Sequence, residues 1–407
     1  MRKRYVGLDV HRDFCQVAIA EDGKVRPAGR VASRPDDLLA FAKALLPGDE
    51  VALEATSGAR RVAEILGPHV QRVVIANTHR LEAISRAKAK TDRNDAKMLA
   101  QLLSAGVLEG SWLPDEPTKA LRRRVSRRHN LVTSRTRAKN EVAAVLHRNL
   151  SERPPVSDVF GVEGRRWLGG LDLPGDEVET LSGALRQVDF FSSEITTIER
   201  ELARFVVGSE AARRLMTVPG VAMVTAATFI AQVGEISRFP SPKSLVGYLG
   251  LDPRVRQSGN GAAFTGRISK EGSVLVRHVM VESAHTAIRT PGPLRAFYER
   301  TRSRRGHGIA IVATARKMVS LFWCLLTRKE DYRYPIALAT KKKIRKVELL
   351  AGGPRRQGGG PSKGPNREER QRIDREQAEV AEREYRQVAA RSLASQSKAA
   401  KREKINR

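Results

Sequence analysis

Apolar and polar positions alternate along residues 4–10, "RYVGLDV", and 15–20, "CQVAIA", predicting two strands joined by "HRDF". "EDGKV" follows as a hairpin turn into a third strand. The spacing turns helical in "PDDLLAFAKALL", residues 35–46. A buried strand is then predicted at "EVALEAT", 50–56, a helix in "SGARRVAEIL" and another strand in "VQRVVIA". Residues 79–105 are expected to be largely helical. Three strands followed by alternating helix and strand predict an α/β domain, a mixed sheet covered by helices.

Beyond residue 115 the period is helical almost throughout. Residues 118–150 predict one long helix or two. In 178–206, Leu181, Leu185, Val188, Ile195, Ile198, Leu202 and Phe205 recur at threes and fours. A short coiled-coil-like helix and a helix packed in an ordinary bundle both fit. Residues 211–250 break at "VPGV" between two apolar helices, as in a helix-hairpin-helix element, where a glycine turn (here Gly220) offers backbone N–H groups to a phosphate. A plain turn gives the same pattern. From 341 the chain holds "KKKIRK" and "GGPRRQGGGPSKGP", then Arg/Glu/Gln/Ala-rich sequence, expected to be a disordered or partly helical polybasic extension. Four segments are thus expected: an α/β domain over 1–115, a basic and coiled-coil-like helical region over 116–206, a mainly α domain over 207–335 and a tail over 336–407.

Charge narrows the function. The 407 residues carry 74 Lys plus Arg against 45 Asp plus Glu, a net +29. That points to a polyanion, nucleic acid first and an anionic membrane surface second. From Lys119 to Arg148 there are ten Lys or Arg and one acid, Glu141. Arg122, Arg123, Arg124, Arg127, Arg128, Arg135, Arg137 and Lys139 are the candidate nucleic-acid contacts there. No run of about 18 apolar residues is seen, so no membrane span is expected. The basic N-terminus lacks the apolar core of a signal peptide. The two cysteines, Cys15 and Cys324, lie far apart and fit a reducing cytoplasm.

In this basic chain the acids at strand ends and helix starts stand out. Asp9 ends the first strand, with Asp13 just beyond, and Glu54 lies near the end of an apolar strand. Asp92 and Asp95 open the helix in "KTDRNDAKMLAQLL", on one face. Acids at a helix start also occur as a solvated turn. An isolated ionised Glu54 in an apolar strand is costly unless paired or metal-bound. Three or four carboxylates converging at strand ends would instead make a site for two Mg²⁺ ions.

A second constellation lies in 247–289. Arg254, Arg256, Arg267, Lys270 and Arg277 offer charge to phosphate, while Gly259, Gly261, Gly266 and Gly272 allow close backbone approach. Ser258 sits among glycines and cations with no adjacent His or Asp as base, a pattern that a turn serine shares.

"YVGLDVHRD", "VALEAT" and "KTDRNDAKMLAQLL" resemble the three acidic motifs of the DEDD transposases of bacterial insertion sequence family 110, which include the Piv-type invertases. Ser258-Gly259, "ISKEG" over 268–272 and Val276-Arg277 resemble the family's C-terminal signature, with Val276 in place of the usual leucine. The resemblance covers roughly 4–330. It implies an RuvC-like domain of RNase H type, a metal-binding tetrad of Asp9, Glu54, Asp92 and Asp95, and Ser258 as nucleophile in a covalent serine–DNA link. Ser269 is the competing serine, its "ISK" setting fitting a helix-entry or phosphate-contact role better. The resemblance also implies donor and target DNA and a structured guide RNA. The separation of some 160 residues between Asp95 and Ser258 suggests a composite site built between two domains, and the coiled-coil-like helix 178–206 would supply assembly into a homodimer or tetramer. The expected location is the bacterial nucleoid. Two other classes fit fewer of these residues: a hydrolytic junction-resolving nuclease with a structural Ser258, and a non-catalytic nucleic-acid-binding protein.

Overall fold

The computed structural model describes residues 3–76, 91–108, 110–257, 264–355 and 366–405. The chain falls into two compact units, Met1–Asp115 and Glu116–Arg407.

In the first unit, β1 (Tyr5–Val10), β2 (Phe14–Glu21), β3 (Lys24–Ala32), β4 (Glu50–Leu53) and β5 (Arg72–Ile75) form one sheet in the order β3-β2-β1-β4-β5. β1, β2 and β3 are antiparallel hairpin neighbours, whereas β1, β4 and β5 run parallel. Helices α1 (Pro35–Ala44) and α2 (Ala59–Leu66) supply the crossovers. Their Leu38, Ala42, Val62 and Leu66 pack on Val6, Leu8, Val17, Val51 and Leu53 on one face of the sheet. Helix α3 (Asp92–Ser104) covers the other face, burying Leu99 and Leu103 against Ala52 and Val74.

α3 can lie this close because β1 carries glycine at position 7. A Cβ there would stand 2.1 Å from the Ala96 carbonyl oxygen. Asp9 shares a strand face with Gly7, two residues on. Asp92 lies one turn before Ala96. The close approach therefore carries the start of α3 to the end of β1.

The second unit begins with α4 (Glu116–Arg148), followed by α5 (Val162–Gly169) and α6 (Gly175–Gly208). α4 and α6 run antiparallel, since Arg148 pairs with Glu177 at one end and Arg128 with Glu199 at the other. Of the two readings of the apolar stripe, coiled-coil-like helix or helix packed in a bundle, its residues follow the second and pack within the chain. Leu181 packs with Val142 and Val145, and Ile198 and Leu202 with Leu121 and Val125. Next come α7 (Glu210–Leu215), α8 (Met223–Val233), α9 (Pro242–Tyr248), the β6–β7 hairpin (Pro253–Arg256, Phe264–Ile268), α10 (Val274–Ala287), α11 (Pro293–Arg305) and α12 (His307–Arg328). By length and composition α12 could cross a membrane, unlike the sequence expectation. Its Ala310, Ile311, Met318, Val319 and Phe322 lie in the core.

Residues 336–407 were expected to be a disordered or partly helical extension, and they contain α13 (Ala337–Leu350) and α14 (Arg367–Ile405). Val347 joins the core that also holds Leu121, so the segments expected at 116–206, 207–335 and 336–407 form one unit. Lys343 donates its ammonium to the carbonyl oxygens of Met216 (2.5 Å), Val218 (3.2 Å) and Val221 (2.9 Å). From α14, Glu382 accepts from the Gly292 N–H at 2.8 Å and from Arg295 at 2.9 Å. Composition favoured disorder because α14 is highly charged; the charges are taken up in pairs such as Arg375–Glu379 and in this docking.

Candidate metal centre and nucleic-acid surfaces

Asp9 is the last-but-one residue of β1 and is only 2% exposed. Its Oδ2 faces His11 Nε2 at 2.9 Å, while Oδ1 is buried with no hydrogen-bond partner. A buried carboxylate oxygen without a donor is expensive, so this atom is a place for a cation. The same His11 Nε2 lies 3.4 Å from Asp92 Oδ2. Asp9, His11 and Asp92 thus converge, with one donor atom of each within 4.8 Å of the others. Oxygen and nitrogen donors of this kind suit a divalent metal.

The local sequence accounts for the arrangement. Thr91 caps α3, its hydroxyl accepting the Asn94 N–H at 3.4 Å, so Asp92 and Asp95 fall in the first turn, where the helix dipole favours negative charge. Glu54 follows β4 directly. Leu8 pairs with Leu53, and the Glu54 N–H extends this parallel ladder to the Leu8 carbonyl at 3.2 Å. Glu54 thereby stands beside Asp9 in the neighbouring strand. Asp95, three residues after Asp92, is half-buried. Asp13 is exposed in the β1–β2 turn.

His11 was not among the sequence candidates. A lone histidine in a turn gives no signal, and its importance emerges only when α3 brings Asp92 to it. Arg30 and Arg93 were also missed. They line an open cleft beside Asp92, with Arg30 4.3 Å above the Phe14 ring.

In the second unit, Ser258, Gly259 and Gly261 lie outside the described residues. The hairpin flanking Ser258 is described up to the pairing of Arg256 with Phe264. Ser269 is buried and donates to Asp252 Oδ1 at 2.7 Å. Arg254 donates to the Ser269 carbonyl at 3.2 Å, and Arg256, Arg267 and Lys270 are exposed. Lys270 has φ +61°. Arg277 donates to the Gly272 and Leu249 carbonyl oxygens at 2.6 and 3.3 Å, and burial pushes its guanidinium down from its ordinary value. "GYLGL" and "ISKEG" interlock, since a Cβ on Gly272 would stand 2.3 Å from the Tyr248 carbonyl oxygen. A cleft beneath β6 gathers Lys243, Arg254, Arg256 and Arg316 with Ser241 and Ser244; Lys243 and Arg316 are further cations that the sequence did not single out.

Gly220 has φ +80°, and a Cβ on it would stand 2.3 Å from the Ser283 carbonyl oxygen, so the turn is pressed against α10. The basic residues of α4 divide. Arg122 donates to the Ala231 and Gln232 carbonyl oxygens, both at 2.7 Å, at the end of α8. Arg128 pairs with Glu199, Arg127 with Glu194 and Arg123 with Glu116. Arg135 donates to the Ser192 hydroxyl at 3.5 Å, and Lys139 sits 4.3 Å over the Phe160 ring. Arg124 and Arg137 are exposed.

A mixed sheet with Asp9, His11 and Asp92 gathered at the end of one strand, in a chain of net charge +29, fits a protein that acts on nucleic acid. The DEDD transposase model of the IS110 type matches residues 6–149, and the Transposase IS116/IS110/IS902 family model matches 212–299. The chain belongs to this family and is a DNA transposase of the DEDD type. It is 28% identical to the transposase for insertion sequence element IS1111A of Coxiella burnetii over 81% of this chain and 91% of that one. It is 29% identical to the putative transposase y4qE of Sinorhizobium fredii, over 70% and 72%. The pilin gene-inverting protein of Moraxella bovis is 23% identical over 65% and 75%.

Proposed function

We propose that the chain cuts and rejoins donor and target DNA through a covalent serine intermediate, with a divalent metal held by Asp9, Glu54, Asp92 and Asp95. The observation that carries the metal reading is the buried, unpartnered Oδ1 of Asp9 at the mouth of the acidic cluster. Carboxylate oxygens are the donors that Mg²⁺ prefers. When bound, the ion supplies charge neutralisation at the scissile phosphate. The strand order, three antiparallel strands followed by two parallel ones, supports an RNase H-like, RuvC-like reading of the first unit.

The chain's own residues do the rest. The Ser258 Oγ attacks phosphorus, an O–P bond forms, and the bond from phosphorus to one sugar oxygen breaks. The hydroxyl proton leaves with the displaced sugar oxygen, and the covalent link keeps the bond energy for rejoining. Arg254, Arg256, Arg267 and Lys270, exposed on or just after the two strands that flank Ser258, offer positive charge to the phosphate oxygens. The exposed arginines of α4 suit a structured guide RNA, and the glycine turn at Gly220 suits a DNA backbone. Because the apolar stripe of α6 is filled by α4, a dimer or tetramer would form through other surfaces. The nucleoid of the bacterial cytoplasm is the location that DNA as substrate requires.

Labelled DNA incubated with protein and Mg²⁺, run on a denaturing gel, tests this. A slow, protease-sensitive band in wild type, absent from Ser258→Ala and Asp92→Ala, is expected. A band that persists in Ser258→Ala and vanishes in Ser269→Ala would move the nucleophile. Cut DNA with no adduct in any variant would leave a hydrolytic nuclease. Sequencing of co-purifying RNA tests the guide, and random cellular RNA would reject it.

A further inference from the structure

His11 is tied in place from several sides. Its N–H donates to the Phe14 carbonyl at 2.9 Å, its carbonyl accepts the Ser33 hydroxyl at 2.9 Å, and its ring lies 5.1 Å from that of Phe14. The one ring atom facing acids, Nε2, is aimed at both Asp9 and Asp92, at 2.9 and 3.4 Å. Two donors at neighbouring corners of a six-coordinate ion with bonds of about 2.1 Å stand about 3.0 Å apart. The imidazole is therefore already at ligand spacing from two carboxylates, one of which has its second oxygen buried without a partner. Those spacings also suit a hydrogen bond and an ion pair; what asks for a cation in addition is the second, buried oxygen of Asp9, which has no hydrogen-bond partner.

We infer that His11 is a nitrogen ligand of the catalytic metal, making an Asp–His–Asp donor set that takes a first-row transition ion such as Mn²⁺ in preference to Mg²⁺. This rests on the reading of Asp9 and Asp92 as metal ligands. Mg²⁺ is hard, prefers oxygen and gives up water reluctantly, whereas imidazole suits the transition ions. The carboxylates alone admit either class; the ring nitrogen separates them. Among the described residues the converging donor atoms are those of Asp9, His11 and Asp92, so the inference concerns these three alone.

The test uses the full chain and needs no DNA. Mn²⁺ binding is followed by electron paramagnetic resonance, Mg²⁺ by competition, and the bound Mn²⁺ is examined for nitrogen modulation of its spin echo. Wild type is expected to show imidazole nitrogen coupling, changed in pattern by ¹⁵N-histidine labelling. His11→Asn should lose the coupling and weaken Mn²⁺ binding by about tenfold or more while leaving Mg²⁺ binding within about threefold. Unaltered melting of His11→Asn shows that the fold is kept. Bound Mn²⁺ without nitrogen coupling, or tighter binding in His11→Asn, would mean that His11 only holds the place of the ion, and the inference fails. Tight binding that survives Asp9→Asn fails the metal reading itself. Absence of tight binding of either ion to wild type fails both.

Discussion

Gly7 lies directly beneath Ala96: a methyl group on Gly7 would come within 2.1 Å of the Ala96 carbonyl oxygen and 2.6 Å of the Ala100 nitrogen. Both neighbours are helix backbone, so nothing can rotate away. Gly7→Ala is expected to push α3 off the sheet and carry Asp92 away from Asp9. Overpacking of this kind costs about 1–3 kcal/mol or more. Calorimetry should show a lower Tm, and metal titration a weakened site. Unchanged binding with a lowered Tm would separate the packing of α3 from the assembly of the acids.

That close approach also marks what the sequence could reveal. The strands through Leu8, Val17 and Val51, and the helix through Leu99 and Leu103, were legible because each buries one face and repeats with its own period. The acids were legible as residues out of place in a basic chain. Their meeting point was not, because it depends on α3 resting on Gly7, which is far from Ala96 in the chain. His11 acquires its partners only through that packing. For the tail the sequence left disorder and helix both open. Its composition reads as solvated, yet Lys343 buries its stem and finds three carbonyl oxygens, an arrangement that no local pattern encodes.

Glu54 continues the ladder beside Asp9, and the proposed function makes its carboxylate a metal ligand. Glu54→Gln keeps the shape and removes the charge. Strand cleavage should fall below detection while DNA binding, measured by gel shift, stays within about twofold of wild type. Cleavage at the wild-type rate would remove Glu54 from the centre.

The arginines of α4 should separate into two kinds. Arg122 satisfies two carbonyl oxygens at the end of α8, so Arg122→Ala should cost about 1–3 kcal/mol in urea unfolding. Arg124 and Arg137 are exposed. Arg124→Ala with Arg137→Ala should leave the unfolding midpoint in place and weaken RNA binding. The slope of log K against log salt should fall by about 0.7–0.9 for each phosphate that is no longer neutralised. A destabilised double variant, or an unchanged slope, would contradict the division.

Lys343 couples the fold to pH. Burial pushes its ammonium down from 10.5 to about 8. Below pH 8 the folded and unfolded chains both hold the proton, and this group adds no slope. Between about 8 and 10.5 the unfolded chain binds a proton that the folded chain lacks, so stability rises with pH. Burial raises the Tyr332 phenol above its ordinary value of 10.0, which opposes this trend only at higher pH. Burial also raises the Cys15 thiol above its ordinary value of 9.0, which opposes the trend within the window, so the lysine is isolated by the difference in urea unfolding between wild type and Lys343→Met from pH 7.5 to 9.5. Lys343→Met should be less stable than wild type throughout, because three carbonyl oxygens lose their donor. The gap between the two should widen with pH by about 1–2 kcal/mol, within the limit of about 1.36 kcal/mol per unit. A gap that stays constant would mean that the three carbonyl oxygens hold the ammonium charged across the whole window.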